Sequence, residues 1–233
     1  MRLFLAVALA AFVLPVDARP ATSAANAGLP AVRVSTSTLN VPTYNYAGFL
    51  HWIHSAVYNM DYAWLDWAAY EASGPHAEPH AYTTVVAEND WLRLTFLPEL
   101  GGRLYGITDK ATGSELLYQN PVIKPTRWGP PEMSWWPAAG GIEWCLPVEE
   151  HGYEAAVPWG YSVATAAGGA TMTLWDTAAT DRIRARVVVF LPNDQAAFTI
   201  TQRLENPTAA PVTLKYWQNA MLAPGAANSI PES

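Results

Sequence analysis

The chain has 233 residues, of which 51% are hydrophobic and only 14% are charged, and its formal net charge is −7. Disordered proteins combine low hydrophobicity with high net charge, and nucleic-acid binders usually carry a basic patch, so this composition argues against both classes. The single cysteine excludes an intramolecular disulfide framework. The composition therefore favours a globular domain that is unusually rich in aromatic residues, with eleven Trp, eleven Tyr and six Phe.

The N-terminus has the layout of a secretory signal peptide. Met1-Arg2 gives a positive start, residues 3–14 form an apolar run, and small residues follow Pro15. We predict a leader over residues 1–18, with cleavage after residue 27 as the alternative, and therefore a secreted or periplasmic protein. A bilayer span needs about 20 apolar residues, so no membrane span is expected once the leader is removed.

Two segments of different composition follow the leader. Residues 19–40 are small and polar, which favours a flexible lead-in. Residues 41–81 form an aromatic-rich N-terminal segment, in which Ala63, Trp67 and Tyr70 would share one helical face. The aromatic side chains of this segment are interpreted as core, as a cover for a sheet edge, or as an interface with a partner.

From residue 82 the hydrophobic pattern has a period of about two, which is typical of strands. Strands are predicted at 83–87, 91–97, 103–108, 114–118, 142–147, 159–165, 170–175, 182–191, 196–204 and 212–221. Residues 119–141, rich in Pro, Trp and Gly, are predicted to form a long loop. Many short strands separated by turn signals predict an all-β fold, an antiparallel β-sandwich over residues 82–222 with a tail at 223–233.

One predicted strand carries an unusual charge pattern. Arg182, Arg184 and Arg186 alternate with apolar residues, so one face of the strand would present three guanidinium groups. This face is interpreted either as a site for an anion or a uronate, or as a solvated sheet face balanced by acidic residues such as Glu205.

Residues 132–161 combine tryptophans, carboxylates and a histidine, which is the chemistry of a sugar site. An aromatic ring stacks on the apolar face of a pyranose, while Glu, His and Arg side chains bind its hydroxyl groups. The candidate residues are Trp135, Trp136, Glu143, Trp144, His151 and Trp159. The alternative is that the tryptophan rings belong to the core. Cys145 lies in an apolar run and is predicted to be a small buried residue.

No metal site or other cofactor is predicted. His51 and His54, like His76 and His80, have a spacing that could place them together on a helix. However, neither pair has a carboxylate at a spacing typical of metal ligands.

Several motifs together resemble the bacterial family called domain of unknown function 5107. They are residues 88–104, residues 109–122, Gly140-Gly141-Ile142-Glu143-Trp144 and His151-Gly152. The resemblance covers roughly residues 40–222. That family is similar to galactose mutarotase (aldose 1-epimerase), which implies a β-supersandwich with one sheet face towards carbohydrate. It also implies that Arg103 and His151 line a sugar pocket, with Glu143 the next candidate.

The sequence departs from the mutarotase pattern at the catalytic positions. Mutarotases carry a general-acid His in a strand whose nearest counterpart, residues 214–220, has none, and a downstream Glu base is not found. About ten strands are also fewer than a supersandwich needs. We therefore expect either a fragment of a longer gene product, incomplete at its C-terminus, or a sheet edge covered by residues 42–70 or by a packing partner such as another copy, and we favour the fragment.

Three functional hypotheses remain at this stage. The leading one is a secreted carbohydrate-binding domain of a larger bacterial protein, with a mono- or polysaccharide as its partner. The second is a sugar-active enzyme, an epimerase, hydrolase or lyase, that uses Glu143 and His151 as catalytic residues. The third is a structural or interaction domain.

Overall fold

Strands dominate the computed structural model of the protein, which describes residues 6–7, 31–148 and 150–223. The helical elements in this part of the chain are a 3₁₀ turn at Ala47–Phe49 and α1 at Trp67–Ala72. The strands are β1 (Ala6–Val7), β2 (Arg33–Tyr44), β3 (Leu50–Ser55), β4 (Met60–Leu65), β5 (Ala77–Glu88), β6 (Leu92–Leu97), β7 (Arg103–Asp109), β8 (Ser114–Glu115), β9 (Gln119–Thr126), β10 (Trp136–Gly140), β11 (Ile142–Cys145), β12 (Gly160–Ala166), β13 (Gly169–Trp175), β14 (Arg184–Pro192), β15 (Thr199–Glu205) and β16 (Trp217–Ala220). The all-β prediction is confirmed.

The strands form two large sheets and a separate hairpin. The nine-stranded sheet has the order β10-β9-β2-β5-β6-β7-β11-β16, with β8 paired to β7. The five-stranded sheet has the order β1-β15-β14-β13-β12, and β3 pairs with β4. The pairings are antiparallel except for one between β2 and β9, where Thr43 aligns with Ile123 in a parallel sense.

The main core lies between the two sheets. Val187 and Val189 of β14 alternate with less buried residues and pack in one cluster with Leu94 and Phe96 of β6. A strand turns every second side chain to the same face, so each sheet contributes one apolar face to this layer. The predicted antiparallel sandwich is therefore confirmed.

The prediction of a flexible lead-in at 19–40 is wrong for its second half. Residues 33–40 belong to β2, which lies inside the large sheet and pairs along its whole length with β5. Ser and Thr occupy both faces of this strand, so its sequence lacks the apolar alternation that reveals a half-buried strand. Except for Ala6–Val7, which pair with β15, the predicted leader and residues 19–30 lie outside the described residues.

The helical face predicted in the aromatic segment is also wrong. Ala63 lies in β4, and the helix begins only at Trp67, where Asp66 caps it by accepting a hydrogen bond from the backbone N–H of Ala69. The β3–β4 hairpin and α1 pack on a satellite core with Trp135. Because β5 crosses the predicted boundary at residue 81, the segment is continuous with the sandwich.

The hairpin leaves some of its apolar surface uncovered. Trp52, Ile53 and Val57 are exposed, while Met60 and Leu65 are buried. The segment is thus partly core, and its interpretation as an interface stays a prediction. Across the residues that the structure describes, no helix has the length and apolar character needed to cross a bilayer.

Residues 119–141 contain two strands where a long loop was predicted. β9 and β10 pair with each other, with Trp136 opposite Thr126 and Pro137 opposite Pro125. Pro137 is tolerated because β10 lies at the edge of the sheet, where an N–H group is not needed on the outer side. Although β10 and β11 are far apart in the strand order, the side chain of Trp136 reaches Glu143 of β11 and donates a hydrogen bond to it.

Candidate functional site

Glu143 is the centre of a polar cluster on the large sheet. It lies in β11, between β7 and β16, with Asn219 as its register partner. Ile142 and Trp144 turn into the core between the sheets, so Glu143 and Cys145 turn to the opposite face. The cluster is therefore separated from the sandwich core by the sheet itself.

Four donors surround the Glu143 carboxylate. Its Oε2 accepts hydrogen bonds from Arg103 Nη2 and from Trp136 Nε1, both at 2.9 Å. Its Oε1 accepts from Asn219 Nδ2 at 2.8 Å and lies 2.5 Å from His151 Nδ1. Glu143 is only 2% exposed, and a buried charge is tolerated only when it is paired and hydrogen-bonded in this way.

Arg103 supplies the compensating charge and is itself fully buried. Its Nη1 donates to the carbonyl oxygen of Gly140 at 2.6 Å, which fixes the guanidinium between two strands. Burial raises the pKa of Glu143, but the Arg103 charge and the His151 hydrogen bond outweigh it and lower that pKa to about 2. Glu143 is therefore ionised at neutral pH.

The ionised carboxylate defines the tautomer of His151. A carboxylate without a proton can only accept, so Nδ1 of the ring must carry the hydrogen between them. Within the described part of the chain, Nε2 has no hydrogen-bond partner. Nε2 is thus the ring atom left for a ligand.

Two indole rings flank His151. Trp136 stacks on the imidazole with 3.9 Å between ring centroids and 20° between planes. Trp217 lies 5.5 Å away at 50°, and 43% of it is exposed. We call the surface formed by Trp136, His151 and Trp217 the His151 platform. It presents an apolar aromatic surface next to one polar ring atom.

The loop that carries His151 requires an unusual backbone. His151 has a positive φ of 74°, and the next residue, Gly152, has a φ of 65°. A Cβ at Gly152 would clash with the backbone of Leu146. Only glycine takes this conformation at such a close approach without strain, so Gly152 sets where the loop turns His151 towards Glu143.

A second buried cluster anchors the same loop. Glu154 Oε1 accepts from Arg182 Nη2 at 2.7 Å, and Arg182 Nη1 donates to Asp176 Oδ2 at 3.2 Å. Arg182 therefore faces two buried carboxyl groups and does not join Arg184 and Arg186 on the outer face. Burial, followed by the nearby Asp176 charge, holds the pKa of Glu154 above its usual range.

Three of the tryptophans predicted to bind sugar are core residues. Trp135 is fully buried and donates to the carbonyl oxygen of Ala63 at 2.8 Å. Trp144 is 2% exposed and donates to the carbonyl oxygen of Gly102 at 3.0 Å, and Trp159 packs in the same core. The core alternative is therefore correct for these three rings, because none of them has a face open to a ligand.

The predicted site residues Arg103 and Glu143 lie beneath His151 and are buried. Glu143 contacts the imidazole directly and Arg103 contacts Glu143, so together they hold His151 in place, and direct contact with a ligand stays a prediction. Sequence reasoning missed Trp217 and Asn219 in residues 214–220. Their spacing of two places both on the Glu143 face of β16, a signal that becomes readable only once β16 is paired with β11.

Glu143, Cys145 and His151 offer ligand atoms within 4.8 Å of one another, and these are ligand types for zinc. The surroundings do not fit a metal ion. Both carboxylate oxygens already accept two hydrogen bonds each, and the buried Arg103 charge would repel a cation. Burial also raises the pKa of the Cys145 thiol well above its usual range. Cys145 is a small buried residue, as predicted.

Comparison with known proteins gives a family match and a structural similarity. The family model described as Domain of unknown function (DUF5107) matches residues 60–229. The crystal structure of a TPR-domain containing protein from Parabacteroides distasonis ATCC 8503 is similar, with a TM-score of 0.56 and 22% sequence identity. The similarity covers 74% of this chain but 28% of that one. At this identity it establishes a common fold alone.

Proposed function

This chain belongs to the DUF5107 family, a domain of unknown function, and on that premise we propose that it is a carbohydrate-binding β-sandwich domain of a secreted bacterial protein. The observation that carries the proposal is the His151 platform. Two indole rings and one imidazole lie together there, with Trp217 open to solvent. A pyranose would stack on Trp217 and donate a hydroxyl hydrogen to Nε2 of His151.

The buried cluster beneath the platform supports a recognition role. Arg103 and Asn219 hold the Glu143 carboxylate, and Glu143 in turn orients His151. A rigid polar support of this kind fixes a binding side chain before the ligand arrives, so less free energy is lost on binding. The positive φ of His151 is consistent with this, because strained backbone concentrates at functional sites.

Secretion is part of the same proposal. The apolar run at residues 3–14 follows a positive start, and one buried cysteine cannot mispair within the chain during export. Cell fractionation of a C-terminally tagged full chain tests it, with a variant lacking residues 1–18 as the control. The full chain should leave the cytoplasm and the variant should not. Equal retention of both in the cytoplasm would refute secretion.

Calorimetry tests the proposed binding. The full chain is titrated with a panel of neutral mono- and polysaccharides up to millimolar concentration. Trp217→Ala should weaken binding about tenfold, because the stacked ring and its buried area are lost. Trp52→Ala is the matched control, since Trp52 is also an exposed indole and lies on the β3–β4 hairpin. A folded protein that binds no member of the panel would refute the proposal.

A sugar-active enzyme is the second candidate, favoured by the 2.5 Å contact between Glu143 Oε1 and His151 Nδ1. A carboxylate that orients a histidine is the arrangement of a general acid or base. Glu143 itself, ionised and held by four donors, is not suited to donate a proton, so the transfer would fall to His151 Nε2. The assay is α/β anomer interconversion of aldoses by polarimetry. Acceleration that His151→Ala abolishes supports epimerase activity, whereas the buffer rate with intact protein excludes it.

A further inference from the structure

A cleft of about 290 Å³ lies on the small sheet, away from the His151 platform. It is lined by Trp175, Thr177, Ala178, Arg184, Ala185, Arg186 and Glu205. Ala185 and Val187 of β14 turn into the core, so Arg184 and Arg186 turn to the outer face of this sheet. The volume is at the lower end of the range for small-molecule sites, about 300–1,000 Å³.

Most of the charge in this cleft is already paired. Glu205 Oε2 accepts from Arg184 Nε at 2.7 Å, and Glu205 Oε1 accepts from Arg203 Nε at 2.9 Å. Arg184 also donates to the carbonyl oxygens of Ala178 and Ala179. The single carboxylate of the cleft is therefore fully engaged, and it balances two neighbouring arginines.

Arg186 is the exception. It is exposed and lies between Trp175 and Arg203 in the strand register. Its charge helps to lower the pKa of Glu205, but the direct ion pairs of Glu205 are with Arg184 and Arg203. The guanidinium carbon of Arg186 lies 6.0 Å from the centroid of the Trp175 ring. Among the residues that the structure describes, Arg186 thus offers an exposed guanidinium beside an indole ring in a cleft, outside the direct ion pairs of Glu205.

We propose that this cleft binds a uronic-acid unit of an acidic saccharide. The Trp175 ring would take the apolar face of the pyranose, and the Arg186 guanidinium would pair with its carboxylate. Arg184 and Glu205 form the polar wall against the sugar hydroxyls. The site is on the other sheet from the His151 platform and does not depend on it.

Calorimetric titration of the full chain with an oligogalacturonate tests the proposal. The neutral galactose oligomer of equal length is the matched ligand. We expect the uronate to bind at least tenfold more tightly than the neutral oligomer, and we expect added salt to weaken its binding. Arg186→Gln should reduce uronate affinity about tenfold.

Arg127→Gln is the matched control, because Arg127 also lies over an indole ring, that of Trp67 at 4.3 Å, outside the cleft. It should leave uronate affinity unchanged. Equal binding of the uronate to wild type and Arg186→Gln, or equal binding of both oligomers to wild type, would overturn the proposal. If acetate competed for the cleft as well as the uronate does, the cleft would be a simple anion site and the proposal of a uronic-acid site would be overturned. Trp217→Ala should have no effect here, which separates this test from that of the proposed function.

Discussion

Glu143→Gln is the substitution that most directly tests the electrostatics of the polar cluster. It keeps the shape of the side chain but removes the negative charge, so the fully buried guanidinium of Arg103 loses its counter-charge. Glutamine also offers one acceptor oxygen where four donors now converge. Loss of folding stability is therefore expected, with little change in packing volume.

The pKa of Glu143 gives the magnitude. A fall from 4.5 to about 2 in the folded protein corresponds, at about 1.4 kcal/mol per pKa unit, to about 3–4 kcal/mol in favour of the ionised form. Removing one partner of a buried ion pair costs about 3–5 kcal/mol, which agrees with this value. We therefore expect Glu143→Gln to lower the free energy of unfolding by about 3–4 kcal/mol at neutral pH.

The pH dependence has a definite sign. Because the folded-state pKa is depressed, the stabilisation is present above 4.5 and is lost as pH falls towards about 2. The wild type should lose this stability over that window, and Glu143→Gln should not. The two unfolding curves, measured in urea at several pH values, should therefore converge in acid.

Glu71→Gln is the control for this experiment. Glu71 pairs with Arg127 at 2.6 Å, but both side chains are well exposed, so the same chemical change should cost less than about 1 kcal/mol. The reasoning would be refuted if the free energies of unfolding of the wild type and Glu143→Gln differed by less than about 1 kcal/mol at neutral pH. It would also be refuted if that difference stayed the same from neutral to acid pH.

Three further predictions concern the backbone, the satellite core and the second cluster. In a denaturant titration, Gly152→Ala should lower the free energy of unfolding by more than about 1 kcal/mol, because the positive φ of Gly152 and the Leu146 backbone leave no room for a Cβ. Gly168→Ala is the control and should be nearly neutral, because a Cβ there would meet open space. Trp135→Ala should cost about 3–5 kcal/mol of unfolding free energy, because it empties a fully buried site. The raised pKa of Glu154 means that the folded state holds a proton that the unfolded state releases, so stability should fall as pH rises through neutrality. Asp176→Asn removes a neighbouring charge that raises this pKa and should flatten the fall, and an unchanged slope would contradict the assignment.

The fold class was predictable because most strands have a recognisable local pattern of apolar and polar residues. β6, β13 and β14 alternate apolar and less buried residues, as a strand with one core face must. β2 was not predicted because Ser and Thr on both of its faces give no such pattern. Its place in the sheet depends on pairing with β5, some 40 residues away along the chain.

The sequence indicated which segment of the chain holds the site, but not which of its side chains meet. The residues from Trp135 to His151 were expected together, and Trp136, Glu143 and His151 do meet. Trp135 directly precedes β10 and is buried in the satellite core, whereas Trp136 is the first residue of β10 and donates to the Glu143 carboxylate. Nothing local distinguishes these two rings. Asn219 joins the cluster across 76 residues of chain, through strand pairing alone.

The position of β2 also has a consequence for how the protein can be handled. It lies between β5 and β9, and its twelve residues are paired along their whole length with β5. A shortened expression product that starts beyond Tyr44 would expose the backbone donors and acceptors of β5 and of β9 at once. Long unpaired strand edges recruit strands from other molecules. Such a product should aggregate, even though every residue of the Glu143 cluster would still be present.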